Sequence, residues 1–458
     1  MTRKYFGTDG IRGQANKFPV TAEMALRVAM AAASVLKAET ANGHKPRILI
    51  GKDTRLSCYM LEQSLTAGFL SMGMDVLLTG PIPTPAVAML TRSLRADAGI
   101  MISASHNKYS DNGIKIFSGD GYKLPDEIEC KIEELIDANN FEAKLAAPEE
   151  LGQAARIDDA PFGVLGRYME FLKYSLPKGA NFRGLKIVVD AANGAAYKIA
   201  PQVLWEMEAE VISIGISPNG KNINDRVGAT ATELLQERVV EEGADIGVAL
   251  DGDADRLILV NEKGERIDGD QILALLAAHM KQEGMLKKET LVATVMSNLG
   301  LERFCEEKGI NFIRTPVGDR YVVEEMRKND YNLGGEQSGH MILSDHGTTG
   351  DGLLTALQVL LMLKQSGKKS SELLNLFQPL PQLLKNVRYE NGNPLEDSKV
   401  QETINSIKSE LESRGRVLVR ASGTEPVIRV MAEGDDNKVI EQAVDRICDA
   451  IKAVGEGR

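Results

Sequence analysis

Short runs of apolar, β-branched residues recur along the chain. Each ends in small or polar residues and is followed by a longer stretch of helical spacing. Arg47–Ile50 runs into Gly51-Lys52-Asp53-Thr54-Arg55, Lys186–Val189 into Asp190-Ala191-Ala192-Asn193-Gly194, and Leu291–Val295 into Met296-Ser297-Asn298-Leu299-Gly300. Buried strands alternating with helices build α/β domains with mostly parallel sheets. Three such units, at intervals of roughly a hundred residues, predict three related domains. The last hundred or so residues read differently. Pro379, Pro381 and Pro394 mark a linker, and Arg416–Arg420 and Val427–Ala432 read as strands of an α+β unit. Boundaries near 155, 258 and 370 give domains 1–155, 156–258, 259–370 and 371–458. Glu127–Leu135 and Lys399–Leu411 mix charges at helical spacing and read as solvated helices, whereas the Ala-rich run Val28–Leu36 reads as a buried one.

Composition adds limits to this picture. The chain's 458 residues, at roughly 150 per domain, suit three or four cores. Its 43% hydrophobic and 26% charged residues are those of a folded soluble protein. Cys58, Cys130, Cys305 and Cys448 form no CxxC pair, which argues against a disulfide framework or a zinc knuckle and fits a reducing compartment. The opening Met-Thr-Arg-Lys-Tyr-Phe-Gly lacks the apolar core of a signal peptide. No run reaches the roughly 18 apolar residues of a membrane span. A cytoplasmic protein with no membrane partner is expected. A net charge of −11 speaks against nucleic-acid binding, yet leaves room for a few arginines to make a local anion site.

Four segments hold candidate chemistry. Asp251-Gly252-Asp253-Ala254-Asp255-Arg256 follows the strand-like Ala244–Leu250, so three carboxylates at alternate positions sit at a strand end and offer hard oxygen ligands to Mg²⁺. An EF-hand would need Gly where Arg256 stands, and Leu257–Val260 is a strand-like run rather than a coordinating loop. Ile100-Met101-Ile102-Ser103-Ala104-Ser105-His106-Asn107 ends a strand in two serines. It lacks the G-x-S-x-G elbow of a hydrolase, so Ser105 reads as a phosphate carrier assisted by a metal, against the alternative of a helix-capping turn. Arg420-Ala421-Ser422-Gly423-Thr424-Glu425-Pro426, with Arg429 beyond, combines exposed backbone N–H groups, hydroxyls and arginines as a phosphate cradle does; a plain hairpin loop is the alternative. Leu333-Gly334-Gly335-Glu336-Gln337-Ser338-Gly339-His340 gives glycines for close approach, Glu336 and Ser338 for sugar hydroxyls and His340 for proton transfer, where the plainer reading is a Gly-rich turn with a core histidine. Arg320 in Thr315–Arg320 and Arg12 in Gly7–Gly13 can each present a guanidinium to an anion. Neither a Walker A sequence nor G-x-G-x-x-G occurs, and no two histidines stand at metal-ligand spacing on a helix.

Together these segments closely resemble the α-D-phosphohexomutase superfamily. Ser-Ala-Ser-His-Asn, Asp-Gly-Asp-Ala-Asp-Arg, Gly-Glu-Gln-Ser-Gly-His and Arg-Ala-Ser-Gly-Thr-Glu-Pro occur in that family's order, spanning Gly7 to Arg429. The opening Tyr5–Gly13, Gly80-Pro81-Ile82-Pro83-Thr84-Pro85 and Gly335–His340 resemble its glucosamine-phosphate branch. The resemblance implies four domains around a central cleft, three related α/β domains with mixed sheets plus a C-terminal α+β phosphate-binding domain. It implies a phosphoserine at Ser105 and one Mg²⁺ held by Asp251, Asp253, Asp255 and Ser105. Glu336 and Ser338 would meet the sugar, and Arg420, Ser422, Gly423, Thr424 and Arg429 the phosphate that is not transferred. Lys115, in Asp111–Lys115, matches a lysine of the family assigned to proton transfer, and the roles of Lys115 and His340 as acid or base stay open. The activity implied is exchange of glucosamine 6-phosphate and glucosamine 1-phosphate through glucosamine 1,6-bisphosphate, in a possible homodimer. A phosphomannomutase or phosphoglucomutase, a phosphatase and a non-catalytic sugar-phosphate sensor are the other readings. One departure is Lys108, where the family usually has proline.

Overall fold

The computed structural model describes residues 3–39, 45–158, 163–390, 392–421 and 426–455. Four sheets organise them. The first orders seven strands as Phe6–Gly7, Gly10–Gln14, Asp111–Ser118, Ala98–Ile102, Arg47–Lys52, Asp75–Pro81 and Ala154–Arg156. Its last four strands are parallel, and Ala98–Ile102 pairs antiparallel with Asp111–Ser118. The second runs Arg266–Ile267, Leu257–Asn261, Ile246–Leu250, Lys186–Asp190, Glu210–Ile214, and the third Asn311–Thr315, Thr290–Thr294, Leu333–Gly335, Met341–Leu343. The fourth is a purely antiparallel sheet of Gln382–Arg388, Val427–Gly434 and Gly415–Ala421, covered by the helices Ser398–Leu411 and Asn437–Gly455.

The first three sheets share one plan. A central strand (Arg47–Lys52, Lys186–Asp190 or Thr290–Thr294) lies parallel to its neighbours on both sides. One of those neighbours then turns back as an antiparallel partner. Ala98–Ile102 and Ile246–Leu250 are buried along their whole length, which is why they read as unbroken apolar runs. The mixed α/β class with a C-terminal α+β domain expected from the sequence is what the chain adopts.

The boundary near 258 needs correction. Leu257–Asn261 pairs residue for residue with Ile246–Leu250 and then with Arg266–Ile267, so the second sheet extends to 267. The apolar run after the acidic loop is that sheet's return strand, not the start of a new unit.

One hydrophobic cluster crosses the three α/β domains, from Leu49 and Phe117 through Ile187 and Val248 to Leu291 and Leu357. The C-terminal domain keeps a core of its own around Val400, Ile428, Val444 and Ile447. Polar contacts join the two parts: Arg416 donates to the carbonyls of Val295 (2.8 Å) and Ser297 (2.7 Å), and Asn298 holds Leu380 by both its N–H and its carbonyl. No helix among the described residues is long and apolar enough to cross a membrane.

Candidate active site

The shared plan brings three loops to one place. In each α/β domain the loop joining the last parallel strand to its antiparallel partner carries chemistry: residues 103–110 in the first, 251–256 in the second and 336–340 in the third. The first two touch directly. The Ser105 hydroxyl donates to Asp251 Oδ2 at 2.5 Å. Ser105 is buried, and its φ of 51° lies in the left-handed region, an uncommon conformation for a serine. Ser103 faces away from the acids: fully buried, its hydroxyl donates to Asp53 Oδ2 (2.7 Å) and accepts the Ser105 N–H (2.9 Å). His106 Nδ1 stands 3.3 Å from Ser105 Oγ. Burial first, then Arg256 and Arg12, push the His106 imidazole down to about 4.

Asp251, Asp253 and Asp255 each turn a carboxylate oxygen to a common point, all within 4.8 Å of one another. All three are buried, and Asp253 Oδ1 and Asp255 Oδ1 have no hydrogen-bond partner. Burial, then Asp255 and Asp253, push the Asp251 carboxyl well above the usual carboxylate range. Orphaned, crowded, hard oxygens fit a divalent cation of the Mg²⁺ kind. Thr84 fixes one edge, donating its hydroxyl to Asp253 Oδ2 (2.6 Å) and its N–H to the Asp253 carbonyl (2.9 Å). That contact gives the Gly80–Pro85 segment a physical role.

Lys115 Nζ closes the other edge, at 2.9 Å from Asp253, 3.3 Å from Asp255 and 3.2 Å from Asp9. Burial opposes its charge, but Asp253, Asp9 and Asp255 outweigh it and hold the ammonium well above its ordinary pKa. From there acidic side chains alternate with basic or imidazole ones. Asp9 pairs with Arg12 and Lys123, and Lys123 with Asp319 (2.5 Å), while His340 Nε2 stands 3.5 Å from Asp319 and 3.9 Å from Asp255. Burial would raise the Asp9 carboxyl; Lys115, Lys123 and Arg12 instead take it well below its usual range. This ring ties the three α/β domains together. Asp9, Lys123 and Asp319 are the members that sequence reasoning missed. Asp9 lies inside a segment singled out for Arg12, while Lys123 carries no local signal.

His340 is buried with neither ring nitrogen hydrogen-bonded. Gly350 makes room for the ring, since a Cβ there would lie 2.4 Å from Nε2. In the third loop Glu336 accepts the Gly318 N–H (3.2 Å), and Ser338 is exposed with its hydroxyl 3.4 Å from Glu336. Arg256 follows the acids, its Nε buried without a hydrogen-bond partner.

Arg320 departs from the expectation of an anion ligand. Its guanidinium donates to Glu129 (2.8 and 3.0 Å), to Asp126 and to the Leu124 carbonyl (3.1 Å), clamping the third domain to the first. In sequence the Pro-Val-Gly-Asp-Arg segment reads as a polar loop offering an arginine, but Arg320 is buried at the start of the helix Asp319–Asn329, and the acids that neutralise it lie almost two hundred residues away. Arg320→Ala should cost about 1–3 kcal/mol of stability, since buried Glu129 loses both bonds from Arg320 and keeps Arg3 at 2.7 Å, with KM changed less than about twofold. Urea unfolding and steady-state kinetics check both parts.

In the C-terminal sheet, Arg420 and Arg429 stand directly opposite each other on antiparallel strands. Burial, then Arg429, lowers the Arg420 pKa. Like charges paired across a sheet are destabilising unless an anion joins them. Ser422, Gly423 and Thr424 lie outside the described residues.

Comparison with known proteins agrees with the four-domain fold. The phosphoglucomutase/phosphomannomutase family matches in four parts: alpha/beta/alpha domain I over residues 3–143, domain II over 167–264, domain III over 268–380 and the C-terminal domain over 384–450. The chain is 58% identical over 452 residues to phosphoglucosamine mutase of Zymomonas mobilis, covering 99% of each sequence. It is 59% identical to that of Sphingopyxis alaskensis, covering 98% of this chain and 99% of the relative. Its fold matches a phosphoglucomutase/phosphomannomutase family protein of Burkholderia thailandensis with a TM-score of 0.80 at 22% identity, over 100% of this chain and 99% of that one. Four domain matches in order and relatives this similar along the whole length leave one assignment: the chain belongs to the phosphoglucosamine mutases of the phosphoglucomutase/phosphomannomutase family.

Proposed function

We propose that the chain interconverts glucosamine 6-phosphate and glucosamine 1-phosphate, with Ser105 as a reversible phosphate carrier. The observation that carries this is the Ser105 hydroxyl seated on Asp251, an acid of another domain. Phospho-Ser105 gives its phosphoryl group to the C1 hydroxyl of glucosamine 6-phosphate. The Oγ–P bond breaks as the O1–P bond forms, the sugar hydroxyl loses its proton and Ser105 Oγ regains one. The resulting glucosamine 1,6-bisphosphate turns over within the cleft, and its 6-phosphoryl group returns to Ser105.

Asp251, Asp253 and Asp255 would hold Mg²⁺ together with a phosphate oxygen on Ser105; when bound, the ion offsets charge on the transferring group, where most phosphoryl-transfer catalysis lies. Arg256 and Arg12 supply further positive charge. Lys115, held protonated by its three carboxylates, serves as the proton donor, and His340 offers an unengaged ring nitrogen as the acceptor. Glu336 and Ser338 meet the sugar hydroxyls. Arg420 and Arg429, with Ser422, Gly423 and Thr424, grip whichever phosphate is not reacting. A C-terminal domain with its own core can swing to admit and release the sugar. A reducing cytoplasm suits its free cysteines, and a homodimer is the assembly we favour.

A coupled assay offering glucosamine 6-phosphate, glucose 6-phosphate and mannose 6-phosphate tests the reading. The highest kcat/KM is expected for the glucosamine ester. A preference for glucose or mannose would make the chain a different hexomutase, and release of inorganic phosphate alone would make it a phosphatase. Arg420→Ala should weaken substrate binding by about 1.5–3 kcal/mol, one lost charge-assisted contact. It should be read as a raised KM; an unchanged KM would remove Arg420 from the phosphate site.

A further inference from the structure

The segment Gly51–Arg55 closes the first domain's central strand and turns out of it, and takes no part in the reaction described above. Its arginine is nevertheless among the largest fully buried side chains of the described residues. Arg55 Nε donates to Asp53 Oδ2 at 2.8 Å, and the rest of the guanidinium goes to one loop. Nη2 donates to the carbonyls of Ser105 (2.8 Å) and Asn107 (2.9 Å), and Nη1 to that of Lys108. The second domain reaches the same carbonyls. Asn224 Nδ2 donates to Ser105 at 2.9 Å and Asn107 at 3.0 Å. Gly252 lies against them, since a Cβ there would come within 2.5 Å of the Ser105 carbonyl oxygen. Asp53 completes the frame by accepting from Ser103, which in turn receives the Ser105 N–H.

We propose that Arg55 and Asn224 are positioning residues for the phosphate carrier, a two-domain clamp on the carbonyls of residues 105–108 that keeps Ser105 in its left-handed conformation with Oγ on Asp251. The inference rests on Ser105 being the carrier. Neither residue touches the hydroxyl; each acts through the backbone behind it. A serine at φ 51° is held there only when its surroundings over-determine it. Proline at 108 would stiffen the loop through a fixed φ; with Lys108 in that place, stiffness comes from hydrogen bonds to the carbonyls. The clamp matters for turnover because the loop must return to one geometry whether Ser105 is bare or phosphorylated.

Arg55→Lys keeps the charge beside Asp53 but cannot reach three carbonyls, while Asn224→Gly removes both amide donors and tolerates the positive φ at 224. Both are assayed on the hexose phosphate that the wild-type enzyme turns over fastest, with a hexose 1,6-bisphosphate as primer. The clamp predicts a kcat about a hundredfold lower for Arg55→Lys and about tenfold lower for Asn224→Gly, with KM within about twofold, since misplaced reacting atoms cost rate rather than binding. Phosphorylation of Ser105 by the bisphosphate, followed by intact mass, should slow by the same factors. Unchanged kcat in folded Asn224→Gly, or a loss confined to melting temperature or KM, overturns the proposal even if Arg55→Lys fails to fold. A wild-type chain that turns over no hexose phosphate overturns the functional reading, and the clamp with it.

Discussion

Ser105→Ala is expected to abolish turnover and to remove the phosphate mass of about 80 Da from the intact protein, because the covalent carrier itself is gone. Folding should survive. The lost hydroxyl makes a short hydrogen bond to Asp251 and a longer contact to His106 Nδ1, together worth about 1–2 kcal/mol, and alanine retains the backbone that Arg55 and Asn224 hold. Ser103→Ala is the contrasting variant. Its hydroxyl satisfies buried Asp53 and the Ser105 N–H, so its removal should cost about 1–3 kcal/mol of stability while Ser105 still carries the label. Phosphate that persists in Ser105→Ala, or vanishes in Ser103→Ala, would reassign the carrier. Two serines alike in sequence are separated by their neighbours: one points at the acidic loop, the other into its own domain.

Much of the fold was open to sequence reading because its central strands are buried on both faces. Lys186–Asp190 and Thr290–Thr294 carry unbroken apolar centres, Ile187–Val189 and Leu291–Ala293, and the polar turns after them mark where they stop. The acidic loop and Ser105 could be read for the same reason, as abrupt polarity at the end of an apolar strand. Elements that act through distant partners could not be read in this way. Lys123 is one lysine among many until Asp9 and Asp319 close on it from two domains. Arg55 looked like a loop residue, yet it is wholly buried beneath the serine loop. Arg320 failed in the opposite sense: a guanidinium in a polar loop resembles an anion site until Asp126 and Glu129 occupy it. Long-range charge pairing has no period and leaves no local trace, so the ring around the three clustered acids became visible only in three dimensions.

The acidic loop carries the second large prediction, Asp251→Asn. Three buried carboxylates within 4.8 Å repel one another, and Asp251 is the one whose burial beside Asp255 and Asp253 most disfavours the charge. Replacing it with a neutral amide of the same size should leave the metal-free protein as stable as before or slightly more so. Asn at 251 can accept the Arg256 N–H on its amide oxygen, and its Nδ2 can donate to the Ser105 hydroxyl that now donates to Asp251, so both side-chain contacts of Asp251 keep a partner. Function should pay the cost. Loss of one anionic ligand weakens the hold on Mg²⁺, and several kcal/mol of transition-state charge stabilisation go with it. At about 1.4 kcal/mol per factor of ten, kcat should fall by roughly a thousandfold. Thermal unfolding with and without Mg²⁺ gives the independent readout: the wild-type melting temperature should rise with the ion and fall back with a chelator, while Asp251→Asn should respond to neither. A variant that loses stability without the metal, or keeps the wild-type response to it, would show that the carboxylate serves the fold rather than the ion. The expected opposition of stability and activity at one residue is what separates a metal ligand from a structural acid, and it follows from three like charges being gathered where no hydrogen-bond donor reaches two of their oxygens.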